Sequence, residues 1–172
     1  MSRVLIPILF AGVLAGCATT KVEVTGPGAG TLLCRSGERA PMLVVWNTRW
    51  RPDQKDVAAR EAAAWQGIQQ FFVLASCRTE IRSADTLPAD TKAFGKVVAI
   101  TVRELGPVLR IGSPSVIEGG TEVVIESKVF DGRSGEQLAD LRTHWQNGGA
   151  FVVKGVGSLA EDMTAALVAT FW

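Results

Sequence analysis

The residues of this chain with the widest chemistry are three thiols, one imidazole and a scatter of carboxylates. Cys17, Cys34 and Cys77 are odd in number, so they cannot all pair within the chain and one needs a separate role. His144 is the single histidine, which excludes any His cluster, whether a metal site or a catalytic pair. It shares a strand face with Leu138, Asp140 and Arg142 and reads as a surface or edge residue, with Asp140 as its expected partner. Residues 155–159, Gly-Val-Gly-Ser-Leu, resemble a nucleophile elbow only in part: position 160 is Ala where the motif needs Gly, and a capped helix start explains them without chemistry. Residues 26–30 are not followed by the Lys-Ser or Lys-Thr of a phosphate loop. Glu122 and Glu126 share a strand face and read as solvated rather than as a glycosidase pair. Two thiols and one distant histidine lack the close ligand spacing that holds zinc. The expectation is no catalytic residue, no metal and no enzymatic activity.

Cys17 stands at the end of a particular pattern. Arg3 is a short positive n-region, and residues 4–14 are an apolar run too short to cross a bilayer, which needs ~20 residues. A secretory signal has this form. The run closes on Leu14-Ala15-Gly16-Cys17, which resembles the lipobox of bacterial lipoproteins. The resemblance implies that the Cys17 thiol receives a diacylglycerol, that residues 1–16 are removed, and that the new amino group is acylated. The alternative is a core cysteine at the end of a buried helix. Two or three acyl chains make a stable anchor, at ~0.8 kcal/mol per buried CH2. In that family an Asp after the Cys tends to retain the protein at the inner membrane. Ala18 follows here, so the expected address is the outer membrane, facing the periplasm. No other cofactor is expected beyond these covalent chains. With Arg3 removed, the 17 Asp and Glu are matched by an equal number of Lys and Arg.

That address makes Cys34 and Cys77 an even pair in an oxidising compartment, where a disulfide is the natural state. The alternative is two buried free thiols. Residues 17–40, rich in Thr, Gly and Pro, read as the lipidated Cys and a flexible tether, with residues 41–172 as a periplasmic α/β domain. The chain of 172 residues, 47% hydrophobic and 20% charged, is too apolar for disorder. Its formal charge of +1 is too balanced for a nucleic-acid footprint.

The elements that must position these residues follow from periodicity. Residues 42–50 alternate as a strand. A helix is expected to start at Arg51-Pro52-Asp53 and end near Ala75, with Val57, Ala64, Trp65, Ile68 and Phe72 on its buried face. Residues 79–84 form a short strand and 85–94 a loop. Residues 96–105 form the clearest strand, with Gly106-Pro107 as its expected stop. Residues 108–111 read as a short irregular continuation and 113–120 as a flexible connection. Residues 121–131 and 137–146 pair as strands about the turn at 131–135, and 147–149 turn again. Ser158 and Glu161 have capping-box spacing, opening a helix with Leu159, Met163, Leu167 and Phe171 on one stripe. The expected fold is α/β (α+β): a single two-layer domain, a mixed sheet of about five strands with two helices on one face.

This order, with the Thr-Val-Arg-Glu-Leu segment at 101–105 and the hairpin at 129–136, resembles small envelope lipoproteins. Their domains are similar to the TolB amino-terminal domain, CsgG and LpoB. The resemblance implies a non-enzymatic protein with an envelope partner. It carries no catalytic residue over, and the pore-forming insertions of the curli protein are not evident.

Five tryptophans remain. Trp46, Trp50 and Trp65 lie on apolar stripes, although Trp50 beside Arg51 at a strand end could also meet a partner. Trp145 suits core or partner, and Trp172 either docks the last turn or forms a partner-binding tip. The expected function is a lipid-anchored, periplasm-facing interaction module that assists an envelope assembly or transport complex. The alternative is a small-molecule or glycan-binding lipoprotein using residues 106–120 as a lid. Partners are thus the membrane, through the anchor, and an envelope protein, with no nucleic acid.

Overall fold

The computed structural model describes residues 18–30, 33–34, 40–111, 117–150 and 152–172. Six strands and two helices occur in the order β1 (Thr19–Thr25), β2 (Met42–Thr48), α1 (Val57–Leu74), β3 (Thr79–Ser83), β4 (Lys96–Ile111), β5 (Ile117–Asp131), β6 (Gln137–Ala150) and α2 (Leu159–Phe171). They form one mixed sheet with strand order β1-β6-β5-β4-β2-β3. β2 is parallel to both β3 and β4, and the remaining neighbours are antiparallel. The fold class is as expected, with six strands in place of about five.

Both helices cover the same face. Ala64, Ile68, Phe71 and Phe72 of α1 and Leu159, Met163, Leu167 and Phe171 of α2 join Val44, Val98, Ile100, Val123, Ile125 and Leu141 of the sheet in one core. The β2 sequence Met-Leu-Val-Val-Trp is apolar at every position because both its faces are covered. Met42, Val44 and Trp46 face the helices, while Leu43 and Val45 pack with Val97, Phe94 and Phe130 on the other side.

The additional strand is β1, which lies where a flexible tether is expected. It pairs with β6 from Thr19↔Gly148 to Thr25↔Arg142. Its side chains are almost all exposed, so its place depends on the backbone ladder, and polar residues suit an edge strand. Residues 26–28 are not free either. Gly26 has φ 116°, and a Cβ there would lie 1.9 Å from the Asp140 carbonyl oxygen. The Asp140 amide donates to the Pro27 oxygen at 3.0 Å.

Gly106-Pro107 does not stop β4. β2 pairs with β4 only as far as Val102, and a bulge follows between Val102 and Glu104. Beyond it Pro107 pairs with β5 alone, as Pro does in edge strands. Residues 117–120 and 147–150 likewise belong to strands, so a long three-stranded extension replaces the expected loop and turn. Helix α1 begins at Val57, after a turn in which the Gln54 amide donates to the Arg51 oxygen. The capping box of α2 does not form. The Ser158 hydroxyl bonds the Gly155 oxygen and the Asp162 carboxylate, and Asp162 accepts from Lys154 Nζ at 2.7 Å.

Candidate functional site

Cys17 and the rest of the lipobox lie outside the described residues. Cys34 and Cys77 form a disulfide with Cα atoms 5.8 Å apart, tying the segment before β2 to the α1–β3 turn. Lys96 Nζ donates to the Leu33 oxygen beside it at 2.8 Å.

The three tryptophans named as partner candidates are not brought together. Trp145 is 2% exposed and belongs to the core, because Trp145 alternates inward with Leu141 and Thr143; this corrects its candidacy. Trp50 is half-buried and its Nε1 reaches Glu61 Oε1 at 3.4 Å, which holds it on α1. Trp172 is 67% exposed. Its ring lies 5.9 Å from that of Phe71, so it touches the core with one side and leaves the other in solvent.

The sheet gives the molecule two distinct ends. At the first, β2, β3 and β4 begin and β5 ends, and α1 reaches its C-terminus there before the turn into β3. Trp172 closes α2 beside Phe71 at this end, with Val73 and Leu74 also exposed on α1. At the second end, β1 starts, β6 finishes and the β4–β5 hairpin extends beyond both. Leu109 and Val153 are exposed there, at 67% and 89%. A cleft of about 290 Å³ opens between Val108, Glu118–Glu122 and Gln146–Ala150, with Thr19 and Lys21 at its rim. No tryptophan lines it. Sequence reasoning missed Val73, Leu74, Leu109 and Val153. For Val73 and Leu74 the readable signal was their place off the Ala64–Ile68–Phe72 stripe of α1.

On the side opposite the helices, the β5–β6 part of the sheet is polar and carries the remaining chemistry. His144 on β6 hydrogen-bonds Glu122 on β5, and Gln146 Nε2 reaches Glu122 Oε1 at 3.1 Å. The expected partner Asp140 instead lies directly across from Lys128 and pairs with it at 3.4 Å. The ladder register decides this, since cross-strand neighbours meet before same-strand ones. Arg103 and Arg142 flank Glu126 at 2.8 and 3.9 Å. The cleft beside His144 is lined by Glu23, Thr25, Glu122, Val124 and Arg142, and the Thr25 hydroxyl donates to the Arg142 oxygen at 3.4 Å. Among the described residues no three His, Cys, Asp or Glu side chains group as metal ligands.

Neither a family model nor a curated protein sequence matches the chain. Solved structures that align with the chain include the PelC dodecamer from Paraburkholderia phytofirmans, at 14% identity and TM-score 0.45, covering 88% of this chain and 97% of that one. A neuraminyllactose-binding hemagglutinin homolog from Helicobacter pylori aligns at 8% identity and TM-score 0.44, covering 76% and 80%. The lipoprotein GNA1162 from Neisseria meningitidis aligns at 16% identity and TM-score 0.42, covering 75% and 96%.

Proposed function

We propose that the protein is a lipid-anchored, periplasm-facing interaction module of the outer membrane, without enzymatic activity, that assists an envelope assembly or transport complex. The anchor is Cys17, and the partner is an envelope protein with an apolar pocket for the Trp172 indole. One observation carries this reading. The exposed Trp172 sits at the end of the domain opposite the first residue of β1, which follows the anchor directly in the sequence. A domain held by one end presents the other, and an exposed Trp over an apolar cluster is a typical binding hot spot. The lipobox and the resemblance to envelope lipoproteins point the same way.

A photo-crosslinking residue in place of Leu74, exposed at the same end as Trp172, tests the partner surface in intact cells. The expected result is a reproducible crosslink that is absent when the same residue replaces Glu23 on β1, away from that end. Equal labelling at both positions would overturn the assignment. The Cys17→Ser variant is expected to lose lipid labelling and to leave the membrane fraction; unchanged membrane association would overturn the anchor. The ligand-binding alternative has less support, because most of residues 106–120 belong to strands and no aromatic side chain lines the adjoining cleft.

A further inference from the structure

We infer that β1 is a strap that opens from β6 as a unit about a joint at Gly26, and that its closure decides how far, and with which end outward, the anchored domain stands from the membrane. The opening rests on the fold alone. Its effect on reach rests also on Cys17 being acylated, as proposed above.

Among the described residues β1 borders β6 and no other strand, so a single ladder holds it. Six of its seven side chains are exposed, and Val24 is half-buried. The threonines at its ends add hydrogen bonds from Thr19 to the Gly148 oxygen at 3.3 Å and from Thr25 to the Arg142 oxygen at 3.4 Å, both open to solvent. β6 differs. Its Ala139, Leu141, Thr143 and Trp145 are buried, and β5 pairs with it along its length. A segment with few buried apolar contacts and solvent-exposed backbone bonds opens at a fraction of the cost of global unfolding. The sheet therefore yields between β1 and β6 and not between β6 and β5.

The joint lies in the residues that follow. Gly26 has a positive φ, and Gly28 runs so close to β6 that a Cβ there would be 2.5 Å from the Leu138 oxygen and 2.7 Å from Ala139 Cβ. With the Asp140–Pro27 hydrogen bond, residues 26–28 are fitted against the start of β6 independently of the β1 ladder, and the Cys34–Cys77 disulfide fastens the chain again further on. Opening β1 thus leaves the domain attached where β6 begins, at the Trp172 end of the sheet, in place of the Thr19 end. Closed, the strap starts two residues after Cys17, a span of at most ~7 Å, and Trp172 is held at the far end. Open, the first fixed residue is Gly26, nine residues after Cys17, and the span rises to ~30 Å. The end that carries Trp172 is then free to turn toward the bilayer. One stretch of chain is in this way both the tether its composition suggests and the strand its register makes.

The test is native-state hydrogen exchange on the acylated full chain, with and without the paired substitutions Lys21→Cys and Gln146→Cys, which lie directly across the β1–β6 ladder. The β1 amides bonded to β6 are expected to exchange roughly 100-fold faster than those of residues 123–125, with little dependence on denaturant. Before oxidation the paired variant should match the parent, and oxidising it should slow these amides to the β5 rate. Exchange of β1 only together with β5, at the rate of global unfolding, would overturn the inference. The reach is read in phosphatidylethanolamine–phosphatidylglycerol vesicles with acceptor dyes on the headgroups. A donor dye is carried on a clickable residue in place of Glu136, in the turn at the Trp172 end. A broad distribution of donor distances, narrowed to its long end by the oxidised pair, is expected; a distribution that the oxidised pair leaves unchanged would overturn the effect on reach. Protein without acyl mass on Cys17 would overturn the anchored reading and the reach with it, while exchange still decides the opening.

Discussion

The two ends of the sheet are held by different means. At the Trp172 end, a disulfide, the Lys96–Leu33 hydrogen bond and the packed rings of Phe71, Phe72 and Phe171 restrain several elements at once. At the hairpin end, β4 continues beyond its last pair with β2 at Val102, and backbone ladders join it to β5, β6 and β1. Between them, the buried Arg60 guanidinium donates to the Leu105 oxygen and meets Glu104 at 3.4 Å, closing the β4 bulge. Gly106 permits this, since a Cβ there would fall 1.6 Å from Arg60 Nη1. The difference is one of restraint: exposed Trp172 sits on a base tied by a disulfide and packed rings, whereas exposed Leu109 sits on an extension held by backbone ladders.

The comparison can be broken or sharpened by experiment, from large effects to small. Trp145→Ala should cost about 3–5 kcal/mol in denaturant unfolding, because it opens a cavity under the sheet. A cost below about 1 kcal/mol would mean that the ring is not in the core. Replacing Cys34 and Cys77 by Ala should cost about 2–4 kcal/mol. Hydrogen exchange should then rise around β2 and the α1–β3 turn while the β4–β5 hairpin is unchanged; a uniform rise would remove the distinction between the ends. Gly67→Ala places a Cβ 2.6 Å from Met163 Cβ and should separate α1 from α2 at a cost of about 1–3 kcal/mol, read as a fall in Tm. Trp172→Ala should change stability by less than about 1 kcal/mol while removing the partner crosslink formed from position 74. A large loss of stability would instead show that Trp172 is chiefly a docking residue.

The smallest effect concerns pH. Asp131 accepts from the backbone and then the hydroxyl of Ser134, and from the Arg133 amide, and these bonds hold its carboxyl below the ordinary 3.8. A lowered folded-state pKa stabilises above the unfolded value, and that contribution is lost as pH falls through the folded one. The Tm difference between the parent and Asp131→Ala should therefore be present at neutral pH and vanish in strong acid. The hairpin end should keep its amide protection in both proteins.

Much of the fold is legible residue by residue. The alternation of residues 42–48, the 3–4 spacing of Ala64, Ile68 and Phe72, and the 131–135 turn each report a local geometry. The candidate surface is less legible. Trp145 and Trp172 differ little as sequence, yet one is enclosed and the other half bare, because only packing distinguishes an inward strand position from a helix end. Gly106-Pro107 reads as a stop because a missing amide usually ends a ladder. It does not end β4, because its parallel neighbour β2 has already left.

By itself, the sequence determined the fold class, the order of elements from residue 42 onward, an even pair of cysteines able to join, and a lipobox pattern at Cys17. All of these depend on residues near one another in the chain or on their number. Tertiary structure alone decided that Thr19–Thr25 is a strand, that His144 meets Glu122 rather than Asp140, and that β4 outruns Pro107. Each of those depends on which strand lies alongside and in what register, and register is set by the burial of a whole sheet face and not by any single segment.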